Sequence, residues 1–331
     1  MTGTPIVVFF GFVVLSGCGK YRDFTLPLQP GGPSVTWQWH ARPEPVMTRG
    51  GAGGWDAVDV LNPSVIRQGD TYYNFFSGFD GKVWRTGLAV SADGVTWSKQ
   101  RSILSPDPST WEGGTIAANG SAITGEGEIL YYYQAGDPVE IGLARSRNMD
   151  QWQRNGAPVL PAGPYESWDE RGVADPYVIR AGRDYYMFYL GMDRARRQRL
   201  GVAMSGDGVS WYKLRGNPIL ELGEYGSFDA NGLGEPAVWA SRGYYWMLYT
   251  GRDRGEVRRL GLARSRDGVQ WEKLPTVISG GQAWDSKVIC DPSVLPNGDQ
   301  ISVWFGGGDV PHPVQNIDGQ IGLAVLTAES N

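Results

Sequence analysis

The chain has 331 residues, with 35 acidic side chains against 30 Lys and Arg, two histidines and a net charge of −5. No basic run recurs at a fixed place, which argues against a nucleic-acid partner, and two histidines cannot build a His-rich metal site. The 48 glycines and 21 prolines fall between apolar runs rather than in blocks, so they read as turns and not as a disordered chain.

The chain opens on an address. Ile6 to Leu15 is an apolar run too short to span a bilayer as a mature helix, and it ends Leu15-Ser16-Gly17-Cys18. Residues 1–18 look like a lipoprotein-type signal in which Cys18 becomes the lipidated residue, although no Lys or Arg precedes the run. An ordinary signal peptide or a fortuitous apolar start is the alternative. The expected place is export, with a lipid anchor at a bacterial envelope or free outside the cell, and contact with a membrane through that anchor alone. Acylation of Cys18 would leave Cys290 as the other thiol and no intrachain disulfide. Residues 19–36, rich in Pro and Gly, read as a tether.

From residue 37 one plan repeats. Trp55, Trp111, Trp168, Phe228 and Trp284 lead to Asn62, Asn119, Asp175, Glu235 and Asp291, at spacings of 57, 56, 60 and 56 residues. Each copy then runs through an apolar stretch, a turn, a Tyr- or Phe-rich stretch, a polar loop and a Leu-Gly-x-Ala-like stretch. Ser-x-Asp-Gly-x-x-Trp follows at Ser91, Ser205 and Ser265, with a degenerate copy at Ser146; Asp and Gly make a hairpin turn and Trp opens an outer strand. Helical periodicity is lacking. Repeats of this length built from short strands predict an all-β fold, a five-bladed β-propeller over residues 37–328. Residues 37–47 match the end of a blade, and the last repeat stops near Leu326 without a fourth strand. The strand near Trp39 is therefore expected to complete the last blade and close the ring.

In such a fold the innermost strands line the axis, so Asn62, Asn119, Asp175, Glu235 and Asp291 should ring one end of the channel. Acids converging in a partly desolvated cleft push at least one pKa upward, the condition for a proton donor near neutrality. Asp or Asn before Pro also serves as a plain turn residue, but Glu235 is poorly explained that way. Asp59 has no acid at its offset in the other repeats, which also sets it apart. By contrast Asp56, Glu112, Asp169, Asp229 and Asp285 follow the leading aromatic in every copy and read as architecture.

The repeats, the hairpins and the axial acids together resemble the five-bladed-propeller glycoside hydrolases, the arabinanase and β-xylosidase family and its invertase-like relatives, over about residues 37–328. That resemblance implies a glycosidase acting as a monomer on an oligo- or polysaccharide by acid/base catalysis. It implies Glu235 as the acid, with Asp175 beside it, and leaves the base among Asp291, Asp175 and Asp59. Inversion is expected where acid and base stand roughly 6.5 to 9.5 Å apart. The order Asn, Asn, Asp, Glu, Asp departs from the family's Asp, Asp, Glu. Candidate substrate contacts are Asn62, Asn119, Trp84 as a sugar-stacking indole, and Arg194 and Arg252 from a rim of Arg194, Arg196, Arg197, Arg252, Arg254 and Arg258, which reads as solvated and acid-paired or, more sharply, as a site for a uronate or phosphate. No cofactor is required. One axial divalent cation is an option, with His312 in the place of the histidine that some relatives aim at it. A phosphorylase and a non-catalytic glycan-binding propeller remain alternatives.

Overall fold

The computed structural model describes residues 20–33 and 35–330. The signal and Cys18 lie outside the described residues. Among them is one short helix, Ala283–Asp285, and everything else is strand, turn or loop.

Five antiparallel units follow one another. The first is Asp59–Gln68, Thr71–Phe79, Trp84–Ser91 and Ser98–Leu104. The third is Gly172–Ala181, Asp184–Met192, Gln198–Ser205 and Tyr212–Leu214. The second and fourth begin at Ile116–Thr124 and Gly232–Ser241, and the fifth consists of Val288–Asn297, Gln300–Gly308 and Gln320–Ser330. Val35–Ala41 pairs antiparallel with Gln320–Ser330, Trp39 opposite Leu326, as the fifth unit's fourth strand. The first strands of successive units lie side by side, and that of the fifth touches that of the first.

Two repeated devices hold the units, the first in all five and the second in four. The leading aromatic lies flat on glycines of the second and third strands: a Cβ on Gly191 or Gly201 would stand 2.3 and 2.6 Å from the Trp168 ring. This explains the glycines in the Tyr-Leu-Gly and Leu-Gly-Val-Ala stretches, because no other residue admits the indole so closely. The acid after that aromatic meets a cation two residues beyond the hairpin Trp. Asp56 pairs with Lys99 at 2.5 Å, Asp169 with Lys213 at 2.5 Å and Asp229 with Lys273 at 2.6 Å, and Glu112 pairs with Arg154. The hairpins close as their sequence demands: Asp93 Oδ1 accepts the amides of Val95 and Thr96, and Trp97 Nε1 donates to Gly94 O, with the same set at Asp207 and Asp267.

The segment expected as a tether is instead laid along the third and fourth units. Tyr21–Arg22 runs parallel to Tyr212–Leu214, Leu26 N donates to Asp267 O and Gly31 N to Gly243 O. Leu26 is 1% exposed, buried with Tyr186 and Tyr245. Pro and Gly here do not mark a free linker; scattered Phe24 and Leu26 supply the apolar contacts that dock it.

Removing one partner of a buried ion pair leaves a charge uncompensated, which costs about 3–5 kcal/mol. Lys213 and Asp169 have side chains 5% and 0% exposed, whereas Lys99 is 28% exposed. Lys213→Met is therefore expected to lower the thermal midpoint on the order of 10 °C, and Lys99→Met by clearly less. Equal midpoints for the two variants would refute the brace.

Candidate active site

Each first strand carries one bulge, where the pairing skips: Leu61 to Ser64, Ala118 to Ser121, Ala174 to Tyr177, Gly234 to Ala237 and Cys290 to Ser293. The first residue inside each skip is left-handed: Asn62 at φ 49°, Asn119 at 48°, Asp175 at 49°, Glu235 at 50° and Asp291 at 51°. Asn and Asp tolerate that conformation, while Glu is strained in it. All five border one small cavity on the axis.

The bulged amides are satisfied in a relay around this ring. Asp291 Oδ2 accepts Asn62 N at 3.3 Å, Glu235 Oε2 accepts Asp291 N at 3.3 Å, and the Asp175 carboxylate accepts Glu235 N. Asn62 and Asn119 are not used in this way. Their task passes to the second strand, where Ser77 Oγ accepts Asn119 N at 2.9 Å and Gln134 Oε1 accepts Asp175 N at 3.1 Å. Ser77 and Gln134 occupy the register place of Leu190, Thr250 and Gly306 in the other units.

Three adjacent carboxyls in a half-buried ring cannot all ionise freely. Burial first, and then the neighbouring Glu235 charge, push Asp175 up to about 7, against the Glu235 amide, Arg258 and the Asn119 side chain. The same two causes hold Asp291 well above the usual carboxylate range. Arg258, 7% exposed, faces Glu235, Asp291 and Cys290 and donates to His312 O and Pro313 O, both at 2.9 Å.

Above the ring two compartments open toward the loops. One, about 210 Å³, is bordered by Gln134, Arg171, Asp175, Gln198, Glu235, Arg252 and Arg258. The other, about 350 Å³, is bordered by Asn62, Lys82, Trp84, Glu235, Asp291 and Arg258. Asn119, Gln134, Val139, Glu235, Arg258 and Val314 belong to both. The cavity at the opposite end of the axis, about 580 Å³, is mainly apolar and has none of the ring acids.

The expected site residues separate in space. Asn62, Asn119, Asp175, Glu235 and Asp291 come together, and Arg252 joins them, donating to Gln198 Oε1 at 2.8 Å and Pro313 O at 3.3 Å. Trp84 borders the larger compartment but is 7% exposed, stacked on Phe79 and bonded through Nε1 to Gln315 Oε1 at 3.2 Å, so it presents an edge rather than an open face. Asp59 is fully buried and lines neither compartment: its carboxylate accepts the amides of Asn316, Ile317 and Gly319 at 2.6, 3.2 and 2.8 Å. With its oxygens turned to that loop, it is not placed to act as base. Arg194 lies away from the ring in a surface groove, paired with Glu170 at 2.8 Å and Tyr165.

His312 is exposed, its Nδ1 accepting the amides of Val314 and Gln315 at 3.5 and 3.4 Å, so a histidine-held axial cation does not fit. The ligand atoms that do converge are those of Glu235, Cys290 and Asp291, within 4.8 Å of one another, beside the Arg258 guanidinium that already supplies positive charge. Sequence reasoning placed Arg258 on a solvated rim and passed over Gln134, Gln198 and Lys82. The available signal was divergence: Trp84, Gln198 and Arg258 open the third strand in their units, and there the copies disagree.

The model of the glycosyl hydrolases family 32 N-terminal domain matches residues 65–216 and 134–289, together more than half of the chain. An uncharacterized protein of Mycobacterium tuberculosis (strain CDC 1551 / Oshkosh) is 29% identical over 158 residues, 45% of this chain; the chain spans about half, 52%, of that relative's length. A 1,2-beta-oligomannan phosphorylase of Thermoanaerobacter sp. (strain X514) is 23% identical over 86% of this chain and 95% of its own length. A solved structure superposes with a TM-score of 0.67 at 16% identity over 92% of this chain and 96% of its own. Its name reads "The GH130 family of mannoside phosphorylases contains glycoside hydrolases that target beta-1,2 mannosidic linkages in Candida mannan". The fold is thus one shared by glycoside hydrolases and phosphorylases.

The raised value at Asp175 has a stability consequence. The folded chain keeps a proton that the unfolded chain releases between the ordinary carboxylate range and about 7, so stability falls as pH rises through that window. Asp175→Asn keeps the acceptor and removes the charge. Its thermal midpoint should exceed the wild type's by a few degrees near pH 8 and match it near pH 4; a variant no more stable at the higher pH would disprove the burial account.

Proposed function

We propose that this chain, which belongs to the glycosyl hydrolase family 32 N-terminal domain family, is a five-bladed β-propeller closed by its N-terminal strand and cleaves glycosidic bonds by acid/base catalysis at Glu235 and Asp175. The observation that carries this reading is the trio Asp175, Glu235, Asp291: left-handed carboxyl residues at the floor of the two compartments, with Asp175 and Asp291 raised by burial and by the Glu235 charge. Glu235, the longest of the three and common to both compartments, gives its proton to the leaving oxygen as the bond to the anomeric carbon breaks. Asp175, ionised, takes a proton from the water that attacks that carbon. Asp291 suits the base less well: its Oδ2 already meets Cys290 Sγ and Asn62 N. The β-1,2-mannosides named for the relatives are the first substrates to try, and export with a lipid on Cys18 suits a polymer met outside the cytoplasm.

A second reading replaces water by phosphate. It is favoured by Arg252, whose buried Nε has no hydrogen-bond partner, and by Arg258, both bordering the 210 Å³ compartment.

Incubation with β-1,2-mannobiose and a glycan panel, with and without inorganic phosphate, separates the two. Hydrolysis gives free sugar in both conditions, and phosphorolysis gives a sugar 1-phosphate only with phosphate. Glu235→Gln is expected to lower turnover about 10²- to 10⁴-fold. Since Asp175 must be ionised to act as base, kcat/KM should rise with pH up to about 7, and Asp175→Asn should abolish that limb. Full activity in Glu235→Gln would sink the reading.

A further inference from the structure

Asp59 is a buried acid that the catalytic account leaves unused, and it stands alone among the repeats. It sits on the first strand of the first unit yet binds the amides of Asn316, Ile317 and Gly319 in the fifth. The loop it holds, residues 309–319, is tied from three further points. Trp84 Nε1 bonds Gln315, Arg258 and Arg252 take the carbonyls of His312 and Pro313, and Ile317 is fully buried with Leu61, Phe79 and Trp84. So anchored, the loop spans from the fourth unit to the first and sets Pro313, Val314 and Gln315 along the compartments. Val314 borders both of them and is 64% exposed, a side chain without packing partners enough to explain its place. The smaller compartment, about 210 Å³, falls below the roughly 300–1,000 Å³ of sites that enclose a drug-sized ligand.

From this we infer that the 309–319 loop makes the site end-selective: Val314 and Gln315 wall it so that it receives a glycan terminus rather than the middle of a chain, and Asp59 is the positioning residue that keeps the wall in place. The inference rests on the glycan-cleaving reading for its ligand class. A chain running through the site would need both compartments open across their junction, and that junction is where Val314 stands. Asp59 accepts three hydrogen bonds from backbone amides, a fixed anchor of the kind that holds binding loops to a rigid scaffold.

Binding is compared for a linear oligosaccharide and a cyclic one of the same linkage, which has no ends, in wild type, Asp59→Asn and Val314→Gly, by titration calorimetry. The wild type should bind the linear form and discriminate against the cyclic one by about tenfold or more, and both variants should lose most of that discrimination. Hydrogen exchange at the amides of residues 316, 317 and 319 should rise about tenfold or more in Asp59→Asn alone. Val314→Gly keeps the inference testable if Asp59→Asn folds poorly. Equal affinity of the wild type for both glycans, or unchanged discrimination in both variants, overturns it. A wild type that shows the discrimination but cleaves neither glycan, with or without phosphate, removes the catalytic reading and leaves this one standing.

Discussion

The site depends on five backbone amides that the bulges push out of their ladders. A buried amide without an acceptor costs about as much as a lost hydrogen bond, so each unit must present an oxygen to its neighbour. Three units do so with a ring carboxyl, and two with Ser77 and Gln134 one strand outward. The acids therefore have a structural duty before any chemical one. That duty brings them within reach of one another and holds them there.

This division of labour decides how much was legible. Architecture repeats, so it can be read from one chain: the leading aromatics, the hairpins, and the acids Asp56, Glu112, Asp169, Asp229 and Asp285 were all visible as recurrences, while the cation two residues past the hairpin Trp, which recurs in four units, was passed over. The ring positions could be aligned by the same means. What the ring does could not, because Asn, Asn, Asp, Glu, Asp has no pattern, and burial rather than residue type raises Asp175 and Asp291.

The misplacements share a cause. Asp59 stood out by its uniqueness, but its partners lie 257 to 260 residues onward in a loop whose folding no local rule reveals. Arg258 looked like rim because its neighbours in sequence are charged; in space it is enclosed by Glu235, Asp291 and Cys290. Residues 20–33 looked like a linker by composition, yet two apolar side chains, Phe24 and Leu26, suffice to dock them beside Tyr186 and Tyr245. Composition reports averages, and docking is decided by single residues.

Asymmetry within a symmetric frame is then what gives the ring its charge. A ring of five identical acids would be held together by protons and Arg258 alone, and a ring of five asparagines would carry no proton to give. Two amides followed by three acids confine the charge to one side, next to Arg252, Arg258 and Gln198. Because burial and the Glu235 charge raise both Asp291 and Asp175, the three groups titrate together, and a proton can pass within the trio without changing its total charge. The strain at Glu235, a residue poorly suited to its left-handed turn, is the local cost of placing the longest carboxyl at the middle of that trio, and the repeated braces around the ring supply the rigidity that sustains it.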